Sequence, residues 1–120
     1  MQVFRPAYHE SPILVHIDQQ SRWSFPDEQG VHVITITQRS RIEVELPKTQ
    51  TEGQVYRGGE IVGGPESTVR ALPLGSSLDA VRGVFYWEPA PAFLGSFELV
   101  FAAGDRPPVR VRVVIEPAGR

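Results

Sequence analysis

Between Ile34 and Leu46 the apolar residues Ile34, Ile36, Ile42, Val44 and Leu46 all share one parity. Period two marks a strand with one buried face, because successive side chains point to opposite sides. The polar "QRSR" at 38–41 interrupts the run, so the chain either makes a tight hairpin there or bends from one sheet to another; Pro47 ends the segment. The same alternation recurs in "SFELVFA" (96–102), with Phe97, Leu99 and Phe101 on one side. It recurs again in "VRVRVVIE" (109–116), with Val109, Val111, Val113 and Ile115 on one side. In "VFYWE" (84–88), Phe85 and Trp87 share a face and Val84 and Tyr86 take the other. Three consecutive aromatics therefore cannot form one exposed stacking platform; Phe85 and Trp87 are expected in the core.

Shorter runs complete the pattern. "ILVHI" (13–17) and "TVRAL" (68–72) read as strands. The segment 52–68, with Gly58-Gly59 and Gly63-Gly64 flanking "EIV", reads as two short strands about a hairpin, the glycine pairs serving as turns. Residues 19–30 are polar and end in a turn signal, and 73–83 read as a connection. Residues 1–12, with Pro6 and Pro12, are a tail or approach strand, and 13–120 form the domain. No window carries an apolar stripe at helical spacing. About seven strands separated by Gly/Pro turns predict an all-β, antiparallel β-sandwich.

The last two strands constrain each other, since opposed residues of an antiparallel pair share a face. Phe101 can face Val111, leaving the five-residue loop 104–108, or Val109, leaving seven residues. The shorter loop is the expectation. Either register sets Glu98 opposite or diagonal to Arg112 on the solvent side.

Composition narrows the function classes. The 120-residue chain has 41% hydrophobic residues and a net charge of −2, ordinary for one globular domain and without the basic excess of a nucleic-acid binder. It has no cysteine, which excludes disulfides, thiolate metal sites and a cysteine nucleophile. No stretch reaches the ~18 apolar residues of a membrane helix, so no direct membrane insertion is expected. The opening "MQVFRPAYHE" lacks the basic start and apolar run of a secretory signal.

Residues 72–117, "LPLGSSLDAVRGVFYWEPAPAFLGSFELVFAAGDRPPVRVRVVIEP", resemble the immunoglobulin-like, cadherin-like (dystroglycan-type) repeats of bacterial surface and secreted proteins. The matching positions are Leu78, Asp79, Gly83, Phe85, Trp87, Pro89, Gly95, Phe97, Phe101 and Asp105, with a weaker match over 41–47. The resemblance covers 46 of 120 residues. It implies an immunoglobulin-like sandwich in which Phe85 and Trp87 anchor the core, and an extracellular, cell-surface or periplasmic setting. Calcium-binding cadherin repeats cluster acidic ligands at domain junctions. Here Asp27, Glu28, Asp79 and Asp105 are scattered, so neither calcium nor any other cofactor is expected.

Candidate chemistry is sparse. His9, His16 and His32 lack metal-ligand spacing and read as surface or satisfied histidines. Ser76-Ser77 is not in a nucleophile elbow and reads as a turn with side-chain-to-backbone bonds. The glycine pairs lack the Lys and helix of a phosphate loop. Tyr56, Tyr86 and Trp23 are the aromatics most free to meet a ligand. Arg110 and Arg112 form a stripe that is either a solvated face or an anion site. The structural core is expected at Phe85, Trp87, Phe97, Leu99 and Phe101. The expectation is a non-catalytic module of a larger bacterial exported or surface protein. It would act as a spacer or adhesive domain, contacting neighbouring domains, another protein or a glycan. The alternative is an accessory, carbohydrate-binding domain of an extracellular enzyme.

Overall fold

The computed structural model describes residues 11–49, 52–63, 67–104 and 106–118. Among these, regular structure consists of strands alone, ten in number: β1 Ile13–Ile17, β2 Gln20–Ser24, β3 Val31–Thr37, β4 Ile42–Glu45, β5 Arg57–Val62, β6 Thr68–Arg70, β7 Ser76–Asp79, β8 Val84–Trp87, β9 Gly95–Ala102 and β10 Val109–Glu116. They form two five-stranded sheets, ordered β2-β1-β4-β8-β7 (sheet A) and β3-β10-β9-β5-β6 (sheet B), an arrangement compatible with a β-sandwich. The first ten residues, His9 among them, and Asp105 lie outside the described residues.

The inner faces follow the alternation. Sheet A contributes Ile13, Val15, Ile42, Val44, Phe85 and Trp87; sheet B contributes Ile34, Ile36, Leu99, Phe101, Val109, Val111, Val113 and Ile115. Phe85 and Phe101 meet across the sheets with ring centroids 5.1 Å apart. Trp87 stands edge-on to Phe93 and Phe97, each at 5.5 Å, and its indole N–H donates to the Leu74 carbonyl at 3.1 Å. That bond satisfies the one polar atom which burial of the ring would otherwise strand. Phe97 is partly buried against this cluster.

The "QRSR" segment is the bend between sheets. β3 pairs with β10 in sheet B, and β4 pairs with β1 and β8 in sheet A. Arg39 takes φ 70° in the bend. The Gln38 side chain donates to the Pro91 carbonyl and accepts from the Ala118 N–H, tying the bend to two other loops. Ahead of β3, Asp27 Oδ1 accepts from the N–H groups of Val31 and Gln29, both at 2.9 Å. The Val31 bond leads in holding this carboxyl below its ordinary pKa, against the opposing effect of its desolvation.

Several expectations are corrected. Among the described residues there are ten strands rather than about seven, and two of them were not expected as strands at all: β2 lies in the polar 19–30 segment and β7 in the 73–83 connection. The sheets are not wholly antiparallel, since β3 runs parallel to β10. Gly58-Gly59 is not a turn but the middle of β5, and the β5–β6 turn follows at Gly63, with φ 95°. The glycines are there for close approach: a Cβ at Gly58 would sit 2.8 Å from the Phe101 ring, and one at Gly59 would sit 2.4 Å from the Val69 side chain. The final hairpin takes the longer loop, with Phe101 opposite Val109. Pro107 and Pro108 carry no N–H for a ladder, and the Ala103 carbonyl is engaged by the Arg106 N–H in the turn. Pairing therefore starts at Val109, and Glu98 faces Arg112 directly.

Candidate functional site

Burying Ile13, Val15, Ile42, Val44, Phe85 and Trp87 sends the intervening side chains of sheet A to its outer face. The registers line these up in rows. One row runs Ser21–His16–Glu43–Tyr86–Ser77 across β2, β1, β4, β8 and β7. The next runs Trp23–Leu14–Glu45–Val84–Asp79. Trp23 is 59% exposed, Tyr86 is half-buried, and Val84 is buried despite its outward direction.

His16 is the centre of this face. Its Nδ1 lies 2.6 Å from Ser21 Oγ, and its Nε2 lies 2.5 Å from a Glu45 oxygen and 3.8 Å from a Glu43 oxygen. Below the row, Asp18 and Arg41 clamp each other through the backbone. The Asp18 N–H donates to the Arg41 carbonyl, and Asp18 Oδ1 accepts from the Arg41 N–H, both at 2.9 Å. Asp18 holds φ 53° in the β1–β2 turn, a conformation aspartate tolerates better than most residues. Open depressions among the described residues border the face: about 240 Å³ lined by His16, Asp18, Arg41 and Glu43; about 230 Å³ beside Tyr86 and Glu88; and about 470 Å³ lined in part by Glu45, Lys48, Tyr56 and Arg82.

The Ser21–His16–Glu45 chain has the residue order of a nucleophile, a base and an orienting carboxylate. Acyl transfer also needs N–H donors converging beside the nucleophile. A strand's N–H groups lie in the sheet plane, at right angles to the face that carries Ser21 Oγ. The arrangement suits donating and accepting hydrogen bonds across a surface.

The residues singled out from sequence are dispersed. Tyr86 lies on this face. Tyr56, expected among the freely exposed aromatics, is only 5% exposed: it joins the core, and its hydroxyl donates to the Pro47 carbonyl. Burial raises the Tyr56 pKa, partly opposed by the charge of Arg106. Arg110 and Arg112 lie on the outer face of sheet B, where Glu98 stands between them. His32 is buried on the inner face, 3.3 Å from Ser24 Oγ. Ser76 Oγ donates to the Pro73 carbonyl, the side-chain-to-backbone bond expected there, though Ser76 opens β7. The His16–Glu43–Glu45 cluster was missed from sequence. Glu43 and Glu45 share a parity on β4, but only the β1–β4 register brings His16 between them.

No family model matches the chain, and no curated protein sequence or solved structure matches it either.

Proposed function

We propose that this chain is a non-catalytic, immunoglobulin-like module of an exported or cell-surface protein, and that the outer face of sheet A binds a neutral glycan. The strand order supports the module reading. β1-β4-β8-β7 follows the order of one immunoglobulin sheet, and β10-β9-β5-β6 follows the order of the other with its added strand. The setting rests on the sequence resemblance in residues 72–117.

The observation that carries the binding reading is a pair of rings set diagonally across a patch of hydrogen-bonding groups. Trp23 on β2 and Tyr86 on β8 are three strand spacings and two residues apart, about 16 Å at ~4.8 Å per strand and ~3.4 Å per residue. On β1 and β4 between them lie Leu14, His16, Glu43 and Glu45, and Ser21 stands beside Trp23 on β2. Amphipathic rings suit the apolar faces of sugars, and carboxylates and imidazole suit the hydroxyls. Asp18, Glu43, Glu45, Asp79 and Glu88 outnumber Arg41, Lys48 and Arg82 on and around the face, so it repels acidic polymers and favours neutral ones.

Affinity electrophoresis in gels cast with neutral or acidic polysaccharides tests this. Wild type is expected to be retarded by a neutral glycan, and Trp23→Ala and Tyr86→Ala each to lose that retardation while melting as wild type does. Wild-type mobility unchanged in every neutral glycan, or retardation that survives both substitutions, overturns the reading.

A further inference from the structure

We infer that His16, Glu43 and Glu45 form a binding site for a zinc-like divalent transition ion, independently of any glycan. The three side chains come from two adjacent strands whose pairing places His16 directly across from Glu43, with Glu45 two residues along on the same face. One ligand atom from each lies within 4.8 Å of the other two. A tetrahedral ion with bonds of about 2.1 Å sets its ligand atoms about 3.4 Å apart. The His16 Nε2 separations of 2.5 Å and 3.8 Å bracket that spacing. The required adjustments are small rotations of glutamate side chains that are partly exposed, at 33% and 45%.

The donor set chooses the ion. The imidazole favours a transition ion over magnesium or calcium, and zinc accepts both imidazole nitrogen and carboxylate oxygen as ligands. Calcium needs six to eight oxygen ligands, and this flat face does not present them. Two carboxylates cancel the charge of a divalent ion. The Ser21 hydroxyl, 2.6 Å from Nδ1, orients the ring so that Nε2 points at both carboxylates. With three protein ligands the ion keeps a fourth position open to the depression lined by His16, Asp18, Arg41 and Glu43. Water or a further donor would complete the shell there.

The test uses the whole chain with zinc chloride in titration calorimetry and cobalt chloride in visible absorption. One equivalent of zinc is expected to bind. Cobalt should show the intense ligand-field bands of a four-coordinate site and be displaced by zinc; calcium and magnesium should give no heat. His16→Ala and the double variant Glu43→Gln/Glu45→Gln should each weaken zinc binding by at least about 100-fold, since each removes ligand groups outright and even loss of a group hydrogen-bonded to a ligand typically costs 10–100-fold. Both should retain the wild-type circular dichroism spectrum. Zinc binding that is absent from wild type, or that persists unchanged in either variant, overturns the proposal. Persistence in His16→Ala would place the ion on another donor set altogether.

Discussion

The outer face of sheet A carries His16, Glu43, Glu45 and Tyr86 in contact or in register, with Trp23 projecting at its edge. The outer face of sheet B carries Arg110, Glu98 and Arg112 amid valines, of which Val33 is 43% and Val69 65% exposed. Beneath them the sheets share one core of alternating β-branched and aromatic residues. The difference lies in how charge is met. On sheet B a single carboxylate stands between two guanidinium groups, and the ladder Arg112↔Glu98 opposes unlike charges. On sheet A two carboxylates converge on one imidazole, and the surplus is negative. The first arrangement gives each guanidinium a carboxylate oxygen of its own sheet. The second has a place for a cation or a hydroxyl from outside. Strand alternation fixes the inner faces and leaves the outer ones free to diverge in this way.

The most damaging substitution should strike what the faces share. Trp87 is 1% exposed and touches Phe85, Phe93 and Phe97. Trp87→Ala should cost about 3–5 kcal/mol, a large part of a domain's stability. Denaturant melts of the two proteins measure it. A loss below about 1 kcal/mol would detach the ring from the core that supports both faces, far under the range for a buried aromatic.

Sequence parity made most of the inner architecture legible, since Phe85, Trp87, Leu99 and Phe101 are all buried where alternation put them. It failed where the local signal was weak or ambiguous. β2 reads "QSRWS" and is an edge strand with no buried apolar set; β7 has only Leu78 packed against the core. Gly58-Gly59 looks like a turn because glycine signals turns and close packing alike. The outer-face cluster was illegible for a different reason: His16 is far in sequence from Glu43 and Glu45 and is joined to them only by register. Gly59→Ala tests the close-packing account on sheet B. The new methyl would meet the Val69 side chain at 2.4 Å and the Arg70 carbonyl oxygen at 2.9 Å. Overpacking of this kind costs about 1–3 kcal/mol. A melt as stable as wild type would mean that β6 moves aside, and would remove this glycine's reason for being there.

The smallest effect is expected at the charges of sheet B. Glu98 Oε1 accepts from Arg112 Nε, and Arg110 Nε lies 3.9 Å from Glu98 Oε2. The side chains of Arg110, Arg112 and Glu98 are 27%, 34% and 24% exposed. Partly buried pairs that water still reaches from one side contribute about 1 kcal/mol, the upper end for surface pairs, and less as salt screens them. Arg112→Ala should therefore shift stability by no more than about 1 kcal/mol, with the difference shrinking in added salt. The same stripe supplies a direct contrast with sheet A. If Glu98 closes the arginines within the protein, wild type should show no salt-sensitive retention on an acidic polysaccharide. Arg110→Glu/Arg112→Glu would then change nothing in that assay. Retention that disappears in the double reversal, with folding intact, would open the sheet B face as an anion site and invert the contrast between the two faces.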